Sequence, residues 1–77
     1  MEKDLIEYIA KSLVTDPSGV SVQEVEGEKS TVIELRVAQG DIGKVIGKNG
    51  RIAKAIRTVL SASSSKSGKR YSLEILD

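Results

Sequence analysis

The sequence predicts an α+β fold in which three helices pack on one three-stranded sheet, in the order helix–strand–strand–helix–helix–strand. Two observations carry this prediction. Apolar residues recur at helical spacing over residues 4–14 and 51–61, and they alternate with polar residues over 31–37 and 71–75. A chain of 77 residues has room for one domain, so we expect residues 1–77 to form a single unit.

The first helix is predicted over residues 4–14. Its apolar side chains form one stripe at the helical period: Leu5, Ile6, Ile9 and Leu13. Asp4 is followed three residues later by Glu7, a spacing that resembles a capping box with Asp in the Ser/Thr position. We therefore expect Asp4 to mark the start of the helix.

Two strands joined by a hairpin are predicted next. Residues 16–19 contain Pro and Gly, which favour a turn, and a strand begins at Val20. Residues 26–29 resemble a hairpin loop. The second strand, residues 31–37, shows the clearest alternation, with apolar residues on one face (Ile33, Leu35 and Val37) and charged residues on the other (Glu34 and Arg36).

The second half of the chain supplies two helices and the last strand. Asp41 is expected to cap a short helix over residues 42–46. The next helix runs from Arg51 to about Ser61, and its predicted buried stripe is Ile52, Ile56, Val59 and Leu60. The serine-rich residues 63–68 are predicted to be a loop. The alternation of Tyr71, Leu73 and Ile75 predicts the last strand.

Composition narrows the classes of function. The chain has no Cys and no His, which removes disulfides, thiolate metal sites and the commonest general base. We therefore expect no enzyme activity, no catalytic residue, no metal and no cofactor. No apolar run approaches the ~20 residues that span a bilayer, and residues 1–4 lack the charge pattern of a signal peptide. These features predict a cytoplasmic protein.

The charge is unevenly distributed along the sequence. Residues 1–35 carry a net charge of −5 and residues 36–77 a net charge of +6, which together give the overall +1. Such asymmetry favours a nucleic-acid or other acidic partner. The alternative is that the two halves interleave in space, so that the field averages out.

The basic half contains a glycine-flanked loop, Gly47-Lys48-Asn49-Gly50, followed by the start of a helix. Free N–H groups at a helix start attract anions, and Lys44, Lys48 and Arg51 add positive charge. A P-loop needs four residues between its glycines and a final Ser or Thr, so that motif does not fit. The spacing Gly-x-x-Gly alone is weak, because an ordinary helix–turn–helix corner also explains it.

The surrounding residues make the loop more specific. Ile42-Gly43-x-Val45-Ile46-Gly47-x-x-Gly50, followed by Ile52 and Ile56, resembles the signature of KH domains, and the element order is similar to the type II KH arrangement. The whole chain resembles the KhpA-type family of small bacterial proteins with a single KH domain. The Leu5–Ile9 and Ala55–Thr58 segments also support this resemblance. We call residues Gly47–Gly50 the GXXG loop.

This resemblance implies binding of single-stranded RNA, about four nucleotides of which a KH domain grips. The implied RNA-binding residues are Ile42, Gly43, Lys44, Val45, Gly47, Lys48, Asn49, Gly50, Arg51 and Lys54. Lys48 is expected to contact a phosphate, and Asn49 either to bond a phosphate oxygen or to tolerate left-handed geometry. Ile42 and Val45 are expected in the apolar floor beneath the bases.

Several residues in this half of the chain have alternative interpretations. Gly43 either gives a base a flat surface or permits close helix packing. The charges of Lys54 and Arg57 fit a merely solvated helix face. Val59 and Leu60 belong either to the core, which we favour, or to an exposed seam for self-association.

The resemblance also implies partners. It implies a homodimer, a complex with a larger KH-domain protein of the KhpB type, and RNA-chaperone-like regulation linked to cell elongation and the cell wall. A second hypothesis is therefore a protein-interaction module in which the KH fold serves mainly for assembly. The two Tyr residues are too few for an aromatic stacking platform of the RRM or OB type.

Overall fold

The computed structural model describes residues 2–76, except for the side chains of residues 65–67. Its helices and strands follow the predicted order: α1 (Glu2–Leu13), β1 (Ser21–Glu26), β2 (Ser30–Arg36), α2 (Ile42–Ile46), α3 (Arg51–Ser67) and β3 (Arg70–Leu76). Short 3₁₀ turns occupy Pro17–Gly19, Gln39–Asp41 and Lys48–Gly50. The predicted α+β fold, with three helices and a three-stranded sheet, is confirmed.

The sheet has the strand order β1-β2-β3 and is mixed. β1 and β2 form an antiparallel hairpin in which Ser21 pairs with Arg36. β2 and β3 are parallel, with Ser30 opposite Arg70. Parallel neighbours cannot be joined by a tight turn, so α2 and α3 form the connection between them.

The core lies between the helices and one face of the sheet. The predicted alternation of β2 is confirmed, because Ile33, Leu35 and the following Val37 are buried while Arg36 is exposed. The other elements each contribute one to three buried apolar residues: Ile6 and Ala10 from α1, Val22 from β1, Val45 from α2, Ala53, Ile56 and Leu60 from α3, and Leu73 from β3. The resulting packing fixes all three helices on a single layer of strands.

Two predictions for the helices are wrong. α1 already begins at Glu2, so Asp4 lies inside its first turn and is not the cap. An acidic residue is still favourable there, because it faces the positive end of the helix dipole. In α3 the core-facing spacing is Ala53–Ile56–Leu60, and Val59 is rotated outward with 39% of its surface exposed. The buried-stripe prediction therefore holds for Ile56 and Leu60 and fails for Val59.

The predicted serine-rich loop is also wrong, because α3 continues through Ser67. The helix ends at Gly68, whose φ of +77° is left-handed and whose N–H donates to the carbonyl of Ser64. Ser64 Oγ donates to the carbonyl of Leu60 at 3.0 Å and accepts the N–H of Tyr71 at 2.9 Å. Its hydroxyl thus connects α3 to β3. Among residues 2–76, no helix combines the length and hydropathy that crossing a membrane requires.

Candidate nucleic-acid interface

The GXXG loop has a backbone that depends on glycine. Gly47 (φ +79°, ψ 170°) and Gly50 (φ +73°) both adopt positive φ. A Cβ at Gly47 would lie 2.6 Å from Cγ1 of Ile52, closer than any real Cβ contact. The turn is closed by the N–H of Gly50, which donates to the carbonyl of Gly47 at 3.1 Å. Asn49 is left-handed as well, with φ 59° and ψ 25°, as one of our two alternatives for this residue requires.

α2 brings the chain into this loop. Its five residues end at Ile46, and the N–H of the next residue, Gly47, donates to the carbonyl of Gly43 at 2.9 Å. Val45 points into the core and has no exposed surface, so the prediction that it forms a floor for bases is wrong. Ile42 packs against the core and remains half-buried. Ile46, which the sequence analysis did not select, is 36% exposed directly before the loop.

Gly43 leaves an open surface on α2. A Cβ built at this position would meet no atom within 4 Å. The alternative that Gly43 permits close helix packing is therefore wrong. Its backbone is instead accessible beside the GXXG loop, where a flat group could approach the helix.

The cations predicted for the site surround the loop and are exposed: Lys44, Lys48, Arg51 and Lys54. Across residues 2–76 none of these four takes part in an ion pair; the Lys11–Glu7 pair on α1 lies elsewhere. No described side chain caps the N-terminus of α3. The N–H of Arg51 donates to the carbonyl of Lys48, whereas the next N–H groups of the first turn have no partner within the helix. Unpaired cations and an open helix start together favour an anion at this loop.

The sequence profile of the KhpA/KhpB KH-domain family matches residues 3–75. The chain belongs to this family. Relatives named RNA-binding protein KhpA agree over nearly the whole length. The one from Borreliella burgdorferi is 57% identical over 76 residues, which are 99% of this chain and 93% of the relative. The one from Clostridium acetobutylicum is 60% identical over 74 residues, 96% of this chain and 99% of the relative.

Solved structures give the same fold at lower sequence similarity. The GTP-analogue complex of Era with nucleotides of 16S ribosomal RNA superposes with a TM-score of 0.62 at 22% identity, covering 96% of this chain and 28% of that one. Aquifex aeolicus Era bound to GDP·AlF4⁻ superposes with a TM-score of 0.61, also at 22% identity, covering 96% and 29%. The chain thus spans less than a third of Era, and this likeness concerns the fold alone.

Asp41 of this KH domain has a different role from the one predicted. Its φ of −104° and ψ of −2° are not those of a typical N-cap, and its side chain does not cap α2. The carboxylate instead accepts the N–H of Thr15 at 3.2 Å and the N–H of Asp16 at 3.0 Å. The bond from Asp16, assisted by those from Thr15 and by the charge of Lys44, holds the pKa of Asp41 below its ordinary value despite burial. The carboxylate therefore stays ionised.

An open apolar groove of about 310 Å³ separates α1 and α3 of the KH domain. Ile9 and Leu13 line it from α1, and Ile52, Ala55 and Val59 line it from α3. Arg51 lies at the end of the groove nearest the GXXG loop. The sequence favours a core position for Val59, but the structure places it at this surface.

Acidic and basic side chains lie close together at the end of the KH domain opposite the GXXG loop. α3 packs against β3 and is joined to it by a short turn at residues 68–69, so the GXXG loop lies at the far end of α3 from this turn. At the opposite end, a cleft between the hairpin and the α3–β3 turn is lined by both signs: Glu26, Glu28, Lys29 and Lys69. The interleaving alternative thus applies at the hairpin.

Proposed function

We propose that this protein is a non-catalytic RNA-binding protein that grips the sugar-phosphate backbone of single-stranded RNA at the GXXG loop. The observation that carries the proposal is the loop itself: a glycine-dependent turn with unpaired cations in front of an uncapped helix. Its relatives named RNA-binding protein KhpA support the same conclusion. The loop matches the way KH domains clamp about four nucleotides.

In this proposal, each residue around the loop has a role. Lys48 contacts a phosphate, while Gly47 and Gly50 let the strand approach the backbone N–H groups. Asn49 combines a left-handed backbone with a side chain that reaches a phosphate oxygen. The other cations contact the backbone of the bound strand: Lys44, Arg51 and Lys54. The apolar or open positions of α2 lie beneath its bases: Ile42, Gly43 and Ile46.

Replacing Lys48 and Asn49 together with Asp tests the clamp. We expect affinity for a single-stranded RNA octamer to fall about a hundredfold, because two negative charges then face the phosphates. The fold should persist, since both positions are exposed and Asp, like Asn, tolerates left-handed geometry. Amide chemical shifts during titration should change over residues 43–54 in the unmodified protein only.

The matched control is Lys3→Asp with Gln23→Asp. It makes the same change in net charge at exposed positions outside the site, so it should weaken binding only slightly. Equal loss in both double variants would contradict a specific clamp. The salt dependence gives a second readout. About three neutralised phosphates predict a slope of log K against log salt near −2, whereas a slope near zero would exclude a phosphate-led mechanism.

Self-association is the second candidate function, and the groove between α1 and α3 favours it. Val59 is 39% exposed there, and Leu5, one helical turn before Ile9 on α1, is also exposed. A second copy of this chain, or a KhpB-type KH protein, would cover this face. Because a four-nucleotide site binds weakly, pairing two sites also raises RNA affinity through effective concentration. The RNA-chaperone role and its link to cell elongation and the cell wall follow from the family and remain predictions.

A further inference from the structure

The buried carboxylate of Asp41 is not used by the clamp, although it lies next to it. Among the residues that the structure describes, it is the one charged side chain in the buried core, with 4% of its surface exposed. Both of its oxygens are engaged, by N–H groups 25 and 26 residues earlier in the chain. An ionised group is retained in such a place only where hydrogen bonds compensate its lost hydration.

These two hydrogen bonds join segments that flank different parts of the fold. Thr15 and Asp16 come two and three residues after the end of α1, whereas Asp41 directly precedes α2. Because the donors are backbone N–H groups, the two bonds constrain the main chain after α1. Asp41 therefore holds the start of α2 against the end of α1.

α2 needs such an anchor because it is short. A helix of five residues has little stability of its own, so its direction depends on what fixes its two ends. Val45 is anchored in the core near one end, and Asp41 stands at the other. The helix is only about 7 Å long, and Gly47 of the GXXG loop follows immediately. A rotation of α2 at Asp41 would move the loop directly.

We infer that Asp41 is a positioning residue for the GXXG loop: by holding Thr15 and Asp16, it fixes the direction in which α2 presents the loop to RNA. Asp41 does not touch the RNA itself, because its side chain is buried. The inference rests on the proposed RNA-binding function. It also implies that RNA at the loop and the hydrogen bonds at Thr15 and Asp16 stabilise each other, since coupling between two sites is reciprocal.

The test is Asp41→Asn, which keeps the shape of the side chain but turns an NH₂ group toward one of the two N–H donors. We expect affinity for a single-stranded RNA octamer to fall about fivefold or more, with the domain still folded. In the free variant, the amide resonances of residues 47–51 should already be displaced. The control is Val22→Ala, which opens the core beneath β1, a strand that is not one of the main elements packed against α2. It should lower stability and leave both affinity and loop resonances unchanged.

Affinity of the Asp41→Asn variant equal to that of the unmodified protein would overturn the inference. So would an equal loss in both variants, since that would reduce the effect to stability. If the Asp41→Asn variant does not fold, hydrogen exchange on the unmodified protein tests the coupling instead. RNA should slow exchange of the Thr15 and Asp16 amides, and unchanged exchange rejects the coupling. If the unmodified protein binds no RNA, the proposed function fails, while the loop resonances of the free variant still test the positioning role.

Discussion

Gly43 and Gly47 lie four residues apart in the same motif, and the structure places opposite constraints on them. Gly43 is inside α2 with open space where a Cβ would be, whereas Gly47 has φ +79° and faces Ile52. Gly47→Ala should therefore lower the free energy of unfolding by about 2–3 kcal/mol, because its backbone region is almost closed to other residues. Gly43→Ala should raise it by up to about 1 kcal/mol, the ordinary gain in a helix.

Urea unfolding of the two variants measures this contrast. Gly43→Ala then provides a protein at least as stable as the original in which RNA binding can be examined alone. Weaker binding by this stable variant would support contact between Gly43 and a base. A Gly47→Ala variant as stable as the original would show that the loop adopts a different backbone from the one described.

At single residues, the sequence predicts the loop better than its surroundings. Gly47, Asn49 and Gly50 are recognisable because few other residue types adopt positive φ. The predictions that Val45 forms a floor for bases and that Asp41 caps α2 are wrong for a different reason. Five residues are too few to show which face of a helix is buried, and capping depends on a dihedral angle that the residue type does not determine.

The hydroxyl of Ser64 stabilises the C-terminal part of α3. It donates to the carbonyl of Leu60 and accepts the N–H of Tyr71, so Ser64→Ala removes both of these part-buried hydrogen bonds. We expect unfolding free energy to fall by about 1–2 kcal/mol, although Ala is the better helix former. Ser61→Ala, at an exposed position of the same helix, should be neutral or slightly stabilising. Thermal denaturation of both variants checks the difference, and equal behaviour would contradict the proposed connection.

The elements themselves follow from the sequence to very different degrees. The strands are predictable because alternation along β2 and β3 matches the two faces of the sheet. The end of α3 is not predictable from the sequence, because serine generally favours loops over helix interiors. Here Ser64 satisfies both of its hydrogen-bonding needs within the fold, and Gly68 provides the left-handed residue that ends the helix. That compensation depends on β3 and cannot be read from the serine run.

At the scale of the whole molecule, the groove between α1 and α3 is the surface that we propose for self-association, and a substitution of Val59 tests it. Val59→Lys should abolish self-association and leave the domain folded, because the side chain is already 39% exposed. Val25→Lys is the matched control, since Val25 is 44% exposed on β1 and does not line the groove. Sedimentation or light scattering at several concentrations measures the outcome. Self-association that survives in Val59→Lys would exclude this face as the interface.

The parallel pairing of β2 and β3 has a consequence for how the domain folds. It joins Ser30 to Arg70, 40 residues apart in sequence, so the sheet is completed only when a long chain segment has closed. Such non-local closure slows folding relative to a helical bundle. The closing segment contains α2, the GXXG loop and α3. In an intermediate with the native sheet but without α2 and α3, both ends of this segment would be fixed while its helices contributed no stabilising contacts. Such an intermediate is unfavourable, so we expect the GXXG loop and the sheet to form in a single cooperative step.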